Sequence, residues 1–444
     1  MSKRSHRKRK SVPTELHTAT ITGISHEGRG IAHIDGKTTF LFGGLPGETV
    51  RFAYKQCRSK RDEGDVVEVL TPSPDRVVPR CQHFGVCGGC RLQHMSSSAQ
   101  RRYKQATLIE LFWHQAQCKP EEIIEPLFDE AYGYRRRARL SAKFVIKKNA
   151  VFVGFRERNS SFVVDIHQCE TLDPIVGKKI KVIAQCIELL SAKFDIPQIE
   201  VVIADNATAL VVRHMVALTE SDSEKLISLA SENHWQLYYQ PGDYQTIHPV
   251  FPENPDLLFY EIPDEKLKMV FEPAQFTQIN QPMNLKMIKQ AMECLDLKST
   301  DQVLDLFCGI GNFSLPMARH AHHVTGVEGA QNSIIQAQKN AAFNHIQNTT
   351  FYTQNLAQDC QALCWAQKQY DKILLDPPRT GAAEMMPLFC VWQPERIVYI
   401  SCNPITLARD AKDLLQLGYS LKKTGVMDMF PHTDHVEAIA LFQR

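Results

Sequence analysis

The sequence predicts a multi-domain protein: an N-terminal OB-like β-barrel, an α+β middle domain and a C-terminal Rossmann-like α/β domain. Three observations predict this. Between about Glu15 and Leu70, short alternating strands are separated by turn signals, the pattern of a small antiparallel barrel. From Asp301 the pattern changes to strand, loop and helix in repetition, as in an open parallel sheet covered by helices. At 444 residues the chain is also too long for one ordinary core, so two to four domains are expected.

Composition narrows the class of protein. A hydrophobic fraction of 43% with 23% charged residues is that of a soluble globular chain. No stretch approaches the ~18 consecutive apolar residues of a membrane span. Met1–Lys10 carries six Lys/Arg and no apolar run, which does not read as a secretory signal. A cytoplasmic protein is expected. The net charge of +2 hides an uneven distribution, with basic clusters at Lys3–Lys10, Lys55–Arg61 and Arg135–Arg139. Three such clusters on a balanced chain favour a polyanionic partner such as nucleic acid. Thirteen cysteines in a reducing compartment are free thiols by default. Cys186, Cys294, Cys360, Cys364 and Cys390 lie in mixed or apolar helical contexts and read as small core residues.

Residues 1–12 read as a basic disordered arm. The barrel follows, with strands expected at 17–22, 31–34, 38–42, 49–53 and 65–69. A proline-punctuated linker, Thr71–Pro79, leads to Cys81, Cys87 and Cys90 around the pair Gly88-Gly89. Three thiols within ten residues, with glycines that let the backbone wrap a compact centre, have metal-ligand spacing. Only one close pair is present, which is not the double knuckle of a zinc ribbon. A fourth thiolate is needed for an iron–sulfur cluster; Cys169 is the candidate, with Cys57 and Cys118 as competitors. Residues 100–117 read as an amphipathic helix. The middle segment alternates strands (139–146, 150–155, 162–166, 200–204, 209–213) with helices near 174–194 and 219–233. The arginines at 135–139 either grip phosphate or solvate a strand end.

The C-terminal part holds the chemistry. Val303–Phe307 reads as a buried strand that runs into Cys308-Gly309-Ile310-Gly311-Asn312-Phe313 and then a helix. A strand, glycine loop and helix bring backbone amides close to an adenosine-bearing cofactor. A second strand ends in Glu328, whose two oxygens can accept both hydroxyls of a ribose diol. A nicotinamide enzyme is the rival reading, but Ser314 stands where the third glycine of its fingerprint belongs. Asn355 ends the third strand, at the adenine edge, and Asp376 ends the fourth, beside the reactive end of the cofactor. After the apolar strand Arg396–Ile400 comes Ser401-Cys402-Asn403-Pro404, which sets a thiol at the carboxyl end of a strand. Alone, Cys402 reads slightly better as a structural thiol; beside Asp376-Pro377-Pro378 and the glycine loop it reads as a nucleophile. Glu437 opens an apolar strand where its pKa can rise, so it is a candidate base, with His432 and His435 as alternatives.

These residues carry resemblances. Gly28-Arg29-Gly30-Ile31-Ala32 and the loop Phe42–Glu48 resemble the TRAM domain, an RNA-binding barrel. Asp305-Leu306-Phe307-Cys308-Gly309 with Gly311 is similar to motif I of S-adenosyl-L-methionine (SAM) methyltransferases. Asp376-Pro377-Pro378 resembles a motif of amino-methyltransferases, but Arg379 replaces the aromatic that stacks the base there. Together with Phe276-Thr277-Gln278-Ile279-Asn280, the Cys402 motif and Phe430-Pro431-His432-Thr433 with Glu437, they resemble the RNA uracil-C5 methyltransferase family along nearly the whole chain. The barrel and the four cysteines point to its large-subunit ribosomal RNA branch. The resemblance implies that Cys402 adds to C6 of a uracil and that Glu437 removes the C5 proton. It implies that Gln278, Phe307, Asn312, Glu328, Asn355 and Asp376 line the pocket for SAM and the base. It further implies that Cys81, Cys87, Cys90 and Cys169 hold a [4Fe-4S] cluster. The implied substrate is 23S rRNA at uracil 1939, with a tRNA or a second ribosomal site as the alternative and an oxidoreductase behind both. The target base must be unpaired or flipped out. The implied domains are a TRAM barrel at 13–71, an iron–sulfur domain at 72–92 with 125–272, and a catalytic domain at 93–124 with 273–444. A monomer without membrane association is expected.

Overall fold

The structure, a computed structural model, describes residues 12–444, so the basic arm expected at 1–12 lies, but for its last residue, outside the described residues. The chain forms two compact units. One runs to Tyr103 and takes in Pro431–Asp434; the other holds Lys104–Phe430 and His435–Arg444.

In the first unit, six strands form one sheet in the order His17–Thr20, Thr49–Cys57, Arg61–Thr71, Lys37–Phe42, Gly30–Ile34, Gly23–Ile24. Alternate residues turn inward, and Ala19, Ile21, Ala32, Leu41, Val50 and Phe52 make the core. The sequence suggests five strands; Gly23–Ile24 is a sixth. The last long pair extends well past its expected ends because three register shifts let it bend around the core. Gly64 belongs at that bend, since a Cβ there would meet the carbonyl oxygen of Ala53 at 2.7 Å. The proline-rich stretch after the barrel is anchored rather than free. Glu48, fully buried, accepts Leu45 N–H (2.8 Å), Ser73 N–H (3.1 Å) and the Arg76 guanidinium (Nη2–Oε2 2.7 Å).

In the second unit, a six-stranded sheet has the order His248–Phe251, Trp235–Gln240, Thr208–Arg213, Gln198–Ile203, Arg137–Val145, Ala150–Gly154. The arginines at the start of the Arg137 strand have carboxylate partners. Arg137 donates to Glu200 at 2.9 and 2.7 Å, Arg139 lies 3.4 Å from the same carboxylate, and Arg136 pairs with Asp205. A buried carboxylate needs such partners, and Glu200 is 1% exposed.

The remaining large sheet has eight strands. Seven are numbered here: β1 Gln302–Leu306, β2 His323–Glu328, β3 Thr349–Thr353, β4 Lys372–Leu375, β5 Arg396–Ser401, β6 Ser420–Met427 and β7 Glu437–Gln443. Their order is β3-β2-β1-β4-β5-β7-β6, with the two-residue strand Glu122–Ile123 at the edge. β1 to β5 are mutually parallel, and β7 runs antiparallel to both β5 and β6. The near-continuous apolar runs of β1, β4 and β5 fit a sheet covered on both faces. On one face Leu304, Leu306, Ile373 and Leu375 pack with Leu108, Phe112 and Ala116 from a helical stretch near the start of this unit. That stretch is an α-helix, Ser97–Leu111, continued by the π-helical turn Phe112–Ala116. The other face packs against helix α1, Gln281–Leu295, through Met287, Ile288 and Ala291. Strand order reverses between β1 and β4, and ligands bind at the carboxyl ends of strands at such a point.

Candidate active site

Cys402 follows β5 directly. Its peptide is fixed by a small hydrogen-bond system: Asn403 N–H donates to Ser401 Oγ (3.1 Å), and the Asn403 side chain accepts Ile405 N–H (3.2 Å). Asn403 thereby caps helix α2, Pro404–Gln416, with Pro404 in the first turn. The thiol thus sits just ahead of a helix N-terminus, whose partial positive charge favours thiolate. Asn403 Nδ2 also donates to the Arg379 carbonyl (2.8 Å), tying the nucleophile's loop to Asp376-Pro377-Pro378-Arg379.

Strand register brings the base to the thiol. The last pair of this antiparallel ladder is Ser401 with Ala438, so Cys402 and Glu437 both adjoin it, close enough for their charges to interact. Glu437 pairs on its other side with Met427, the last residue of β6. Only 8% exposed, Glu437 has its carboxyl pushed up to about 8 by burial and by Asp376, against the pull of Lys104 and Arg379. Cys402, half-buried, is pushed up to about 11 by burial, Glu437 and Asp376, with Arg379 opposing. Burial raises Asp376 to about 7. Burial and mutual repulsion thus disfavour the charged forms of both groups.

The cofactor end lies at β1 and β2. Phe307 takes a left-handed backbone (φ 64°), a conformation uncommon outside glycine, and its N–H donates to Val327 O at 2.9 Å. This turn aims the loop Cys308–Phe313 across the strand ends. Glu328 accepts Gly309 N–H (3.3 Å) and Ala330 N–H (2.9 Å), so its carboxylate is held at the mouth of the glycine loop. Asp305, 1% exposed, is pushed up to about 8 by burial, offset by its hydrogen bond from Ser314 and reinforced by Asp376 and Glu328. Its Oδ1 has no hydrogen-bond partner among the described residues. Asp305, Glu328 and Asp376 thus act on one another near the ends of β1, β2 and β4, a grouping of acids suited to a cationic ligand such as a sulfonium.

The other expected residues fall in two groups. Asn312 exchanges reciprocal 3.0 Å amide hydrogen bonds with Asn284 and accepts Tyr260 Oη at 2.8 Å, which fixes the loop from below. Asn355 accepts Ala357 N–H (3.0 Å) just beyond β3. Gln278 is half-buried in the turn before α1, two residues after Phe276, whose side chain is 70% exposed. His432 belongs to the first unit, where it has a structural place. Its Nδ1 is 3.1 Å from Gln100 Nε2, and its carbonyl accepts Arg91 and Leu92 N–H. His435 contacts Arg379 Nη2 at 3.3 Å and packs edge-on to Phe430.

Three contributors escaped the sequence reading: Asp305 as a member of the acid group, Arg379 as the cation acting on both Cys402 and Glu437, and Lys104. An acid inside the apolar run Val303–Leu306 was a usable signal for the first; nothing local marks the last. Among the described residues, no three His, Cys, Asp or Glu side chains are grouped as ligands of a metal ion. Cys87 Sγ accepts Gly89 N–H at 3.4 Å, and Cys169 lies in the second unit, with its Sγ 3.4 Å from Thr171 Oγ1. No helix among the described residues is long and apolar enough to cross a membrane.

A methyltransferase sheet with a strand-end thiol and a nearby carboxyl defines the class, and the comparisons specify it. The family model described as tRNA (uracil-5-)-methyltransferase matches residues 259–444, and the TRAM domain model matches 15–67. The 23S rRNA (uracil(1939)-C(5))-methyltransferase RlmD of Alcanivorax borkumensis is 46% identical over 439 residues, covering 99% of each chain. The protein of that name from Nitrosococcus oceani is 47% identical over 442 residues, covering 99% of this chain and 98% of its own. Among solved structures, a Pyrococcus abyssi tRNA (uracil-54, C5)-methyltransferase in complex with S-adenosyl-L-homocysteine shares the fold. Its TM-score is 0.73 at 21% identity, over 96% of this chain and 100% of that one. The chain belongs to the SAM-dependent RNA uracil-C5 methyltransferases, within the RlmD family.

Proposed function

We propose that this protein methylates C5 of uracil 1939 in 23S rRNA, the target that its relatives' names give. The observation that carries the chemistry is the ladder that sets Cys402 near Glu437 at the end of β5, beside Asp376. C5 of uracil is a poor nucleophile. Addition of the Cys402 thiolate to C6 makes the ring an enolate with electron density at C5. SAM supplies a methyl group on a positively charged sulfur. Once C5 carries the methyl, Glu437 accepts the C5 proton, the C–H pair forms the C5–C6 double bond, and the C6–S pair leaves with Cys402. Gln278, Phe307, Asn312, Glu328, Asn355 and Asp376 are the proposed lining of the pocket.

The test is a denaturing gel with RNA and SAM. Cys402→Ala is expected to lose methyl incorporation by more than ~10³-fold and to form no adduct, while Glu437→Gln accumulates a covalent protein–RNA band. Equal turnover by wild type and Cys402→Ala would refute the nucleophile.

The same reading places the protein in the cytoplasm as a monomer, with the TRAM barrel (13–71) as an RNA grip. It divides the rest into the middle domain (72–92 with 125–272) and the catalytic domain (93–124 with 273–444). It also carries a [4Fe-4S] cluster on Cys81, Cys87, Cys90 and Cys169. The donor chemistry supports this: the first three thiols fall within ten residues, and the Gly89 amide already donates to Cys87 Sγ. No step of methyl transfer needs electrons, so the proposed role is structural. Iron and sulfide analysis of anaerobically purified protein should give about four of each per chain, and zinc in their place would overturn it.

A further inference from the structure

The mechanism leaves one buried charge unused. Lys104 is fully buried on the helix Ser97–Leu111, and its ammonium donates to Asp428 Oδ1 at 2.7 Å and to the Phe430 carbonyl at 3.0 Å. Burying an ammonium is costly even when it is paired, and a hydrophobic pair of similar volume often serves stability as well or better. A buried Lys–Asp pair therefore calls for some further reason.

Its location supplies one. Asp428 directly follows Met427, the cross-strand partner of Glu437. The segment Asp428–Phe430 is held from several directions. Besides Lys104, Asn280 Nδ2 donates to the Met429 carbonyl (3.2 Å), and Asp428 N–H donates to Leu127 O (2.8 Å). The adjacent helix residue, Gln105, accepts Val426 N–H at 3.0 Å. Lys104 and Gln105 thus clamp the end of β6 where it meets the proton acceptor. The charged and titratable groups acting on Glu437 are Asp376 after β4, Cys402 after β5, Arg379 on the following loop and Lys104 from the helix. The Lys104 ammonium favours the charged form of Glu437, and Asp428 partly neutralises that ammonium. Arg379 is exposed to solvent; Lys104 is the counter-cation on the dry side.

We propose that Lys104 is a positioning residue for C5-proton removal: a buried counter-cation that fixes the end of β6 beside Glu437 and steadies the negative charge of its carboxylate. This rests on the reading of Glu437 as proton acceptor. The bond changes remain those given above, and Lys104 neither gains nor loses a proton.

The experiment follows tritium release from RNA containing 5-³H-uridine, which reads C5-proton loss directly, across pH 6–9.5. The full-length protein is compared with Lys104→Gln, Lys104→Arg, Asp428→Asn and Glu437→Gln. Lys104→Gln keeps a hydrogen-bond donor and loses the charge. It is expected to release tritium about tenfold more slowly at pH 7, converge on wild type at high pH, and shift the ascending limb upward by about one pH unit. Lys104→Arg should return the limb toward its original position. Asp428→Asn, which leaves the cation unneutralised, should move the limb to lower pH, and it decides the matter if Lys104→Gln does not fold. A uniform loss at every pH in Lys104→Gln, or an unmoved limb in Asp428→Asn, would overturn the proposal. Glu437→Gln separates the two readings: wild-type tritium release from it would refute Glu437 as acceptor, whatever Lys104 does.

Discussion

Glu437, the proposed proton acceptor, carries a cost in stability. In an unfolded chain its carboxyl titrates near the ordinary 4.5, and in the folded site at about 8. Between those values the folded state holds a proton that the unfolded state has released. Folding stability therefore falls as pH rises through this window, and the penalty is complete above about 8. Glu437→Gln should raise Tm at pH 8.5, by an amount corresponding to on the order of 2–4 kcal/mol, and change little near pH 4.5. Thermal melts of both proteins at several pH values check this, and a gap that widens toward acid would refute it. The positions of Cys402 and Glu437 at strand ends were readable in the sequence because Cys402 follows one apolar run and Glu437 opens another. Lys104 was not, because its partner Asp428 is 324 residues away and only the ladder joining β6 to β7 gives the pair its meaning. The place of His432 was hidden for a similar reason: its partner Gln100 lies 332 residues away.

At the scale of elements, the barrel and the stretch after it act as one piece through Glu48. Burial pushes this carboxyl up, but the Arg76 hydrogen bond, the amides of Leu45 and Ser73 and the Arg76 charge together hold it below the usual 4.5. Its contribution is present above that value and lost as pH falls below it. Arg76→Met leaves a buried carboxylate without its counter-ion, which should cost about 3–5 kcal/mol. Chemical denaturation followed by the fluorescence of a probe in the first unit should show a lower midpoint at pH 7 than wild type, with the difference shrinking toward pH 4. An unchanged midpoint would mean that the backbone amides suffice. The barrel's existence was legible from its alternation, and the Phe42–Glu48 loop from resemblance. Its sixth strand was not, because Gly23–Ile24 has no β-branched run and pairs through only two residues. The ion pairs of the arginines at 135–139 were not legible for a related reason: sequence displays charge but not Glu200, 63 residues beyond Arg137, which pairs with it.

For the whole molecule, the net charge of +2 understates how selectively positive charge remains available to RNA. In the barrel, Arg29 pairs with Glu27 and Glu63, Lys37 with Asp62, Arg51 with Glu68 and Lys55 with Asp65. In the middle sheet, Arg136, Arg137 and Arg139 serve Asp205 and Glu200. Such pairs attract a polyanion weakly, since each cation's field is largely cancelled by its partner at distances beyond a Debye length. The stretch Met1–Lys10 is different: six Lys/Arg stand there, and no acid occurs before Glu15. Counter-ion release makes each phosphate contact visible as ~0.7 in the slope of log K against log salt for single-stranded RNA. Deleting residues 2–11 should therefore weaken RNA binding most at low ionic strength and flatten that slope by roughly two to four, while SAM affinity and kcat at saturating RNA stay at wild-type values. Filter-binding titrations at several salt concentrations, beside methyl-transfer kinetics, measure both. A slope that does not change on deletion would assign the phosphate contacts to the paired basic residues of the barrel instead. An equal loss of kcat would mean that the arm acts in positioning the base rather than in collecting the RNA.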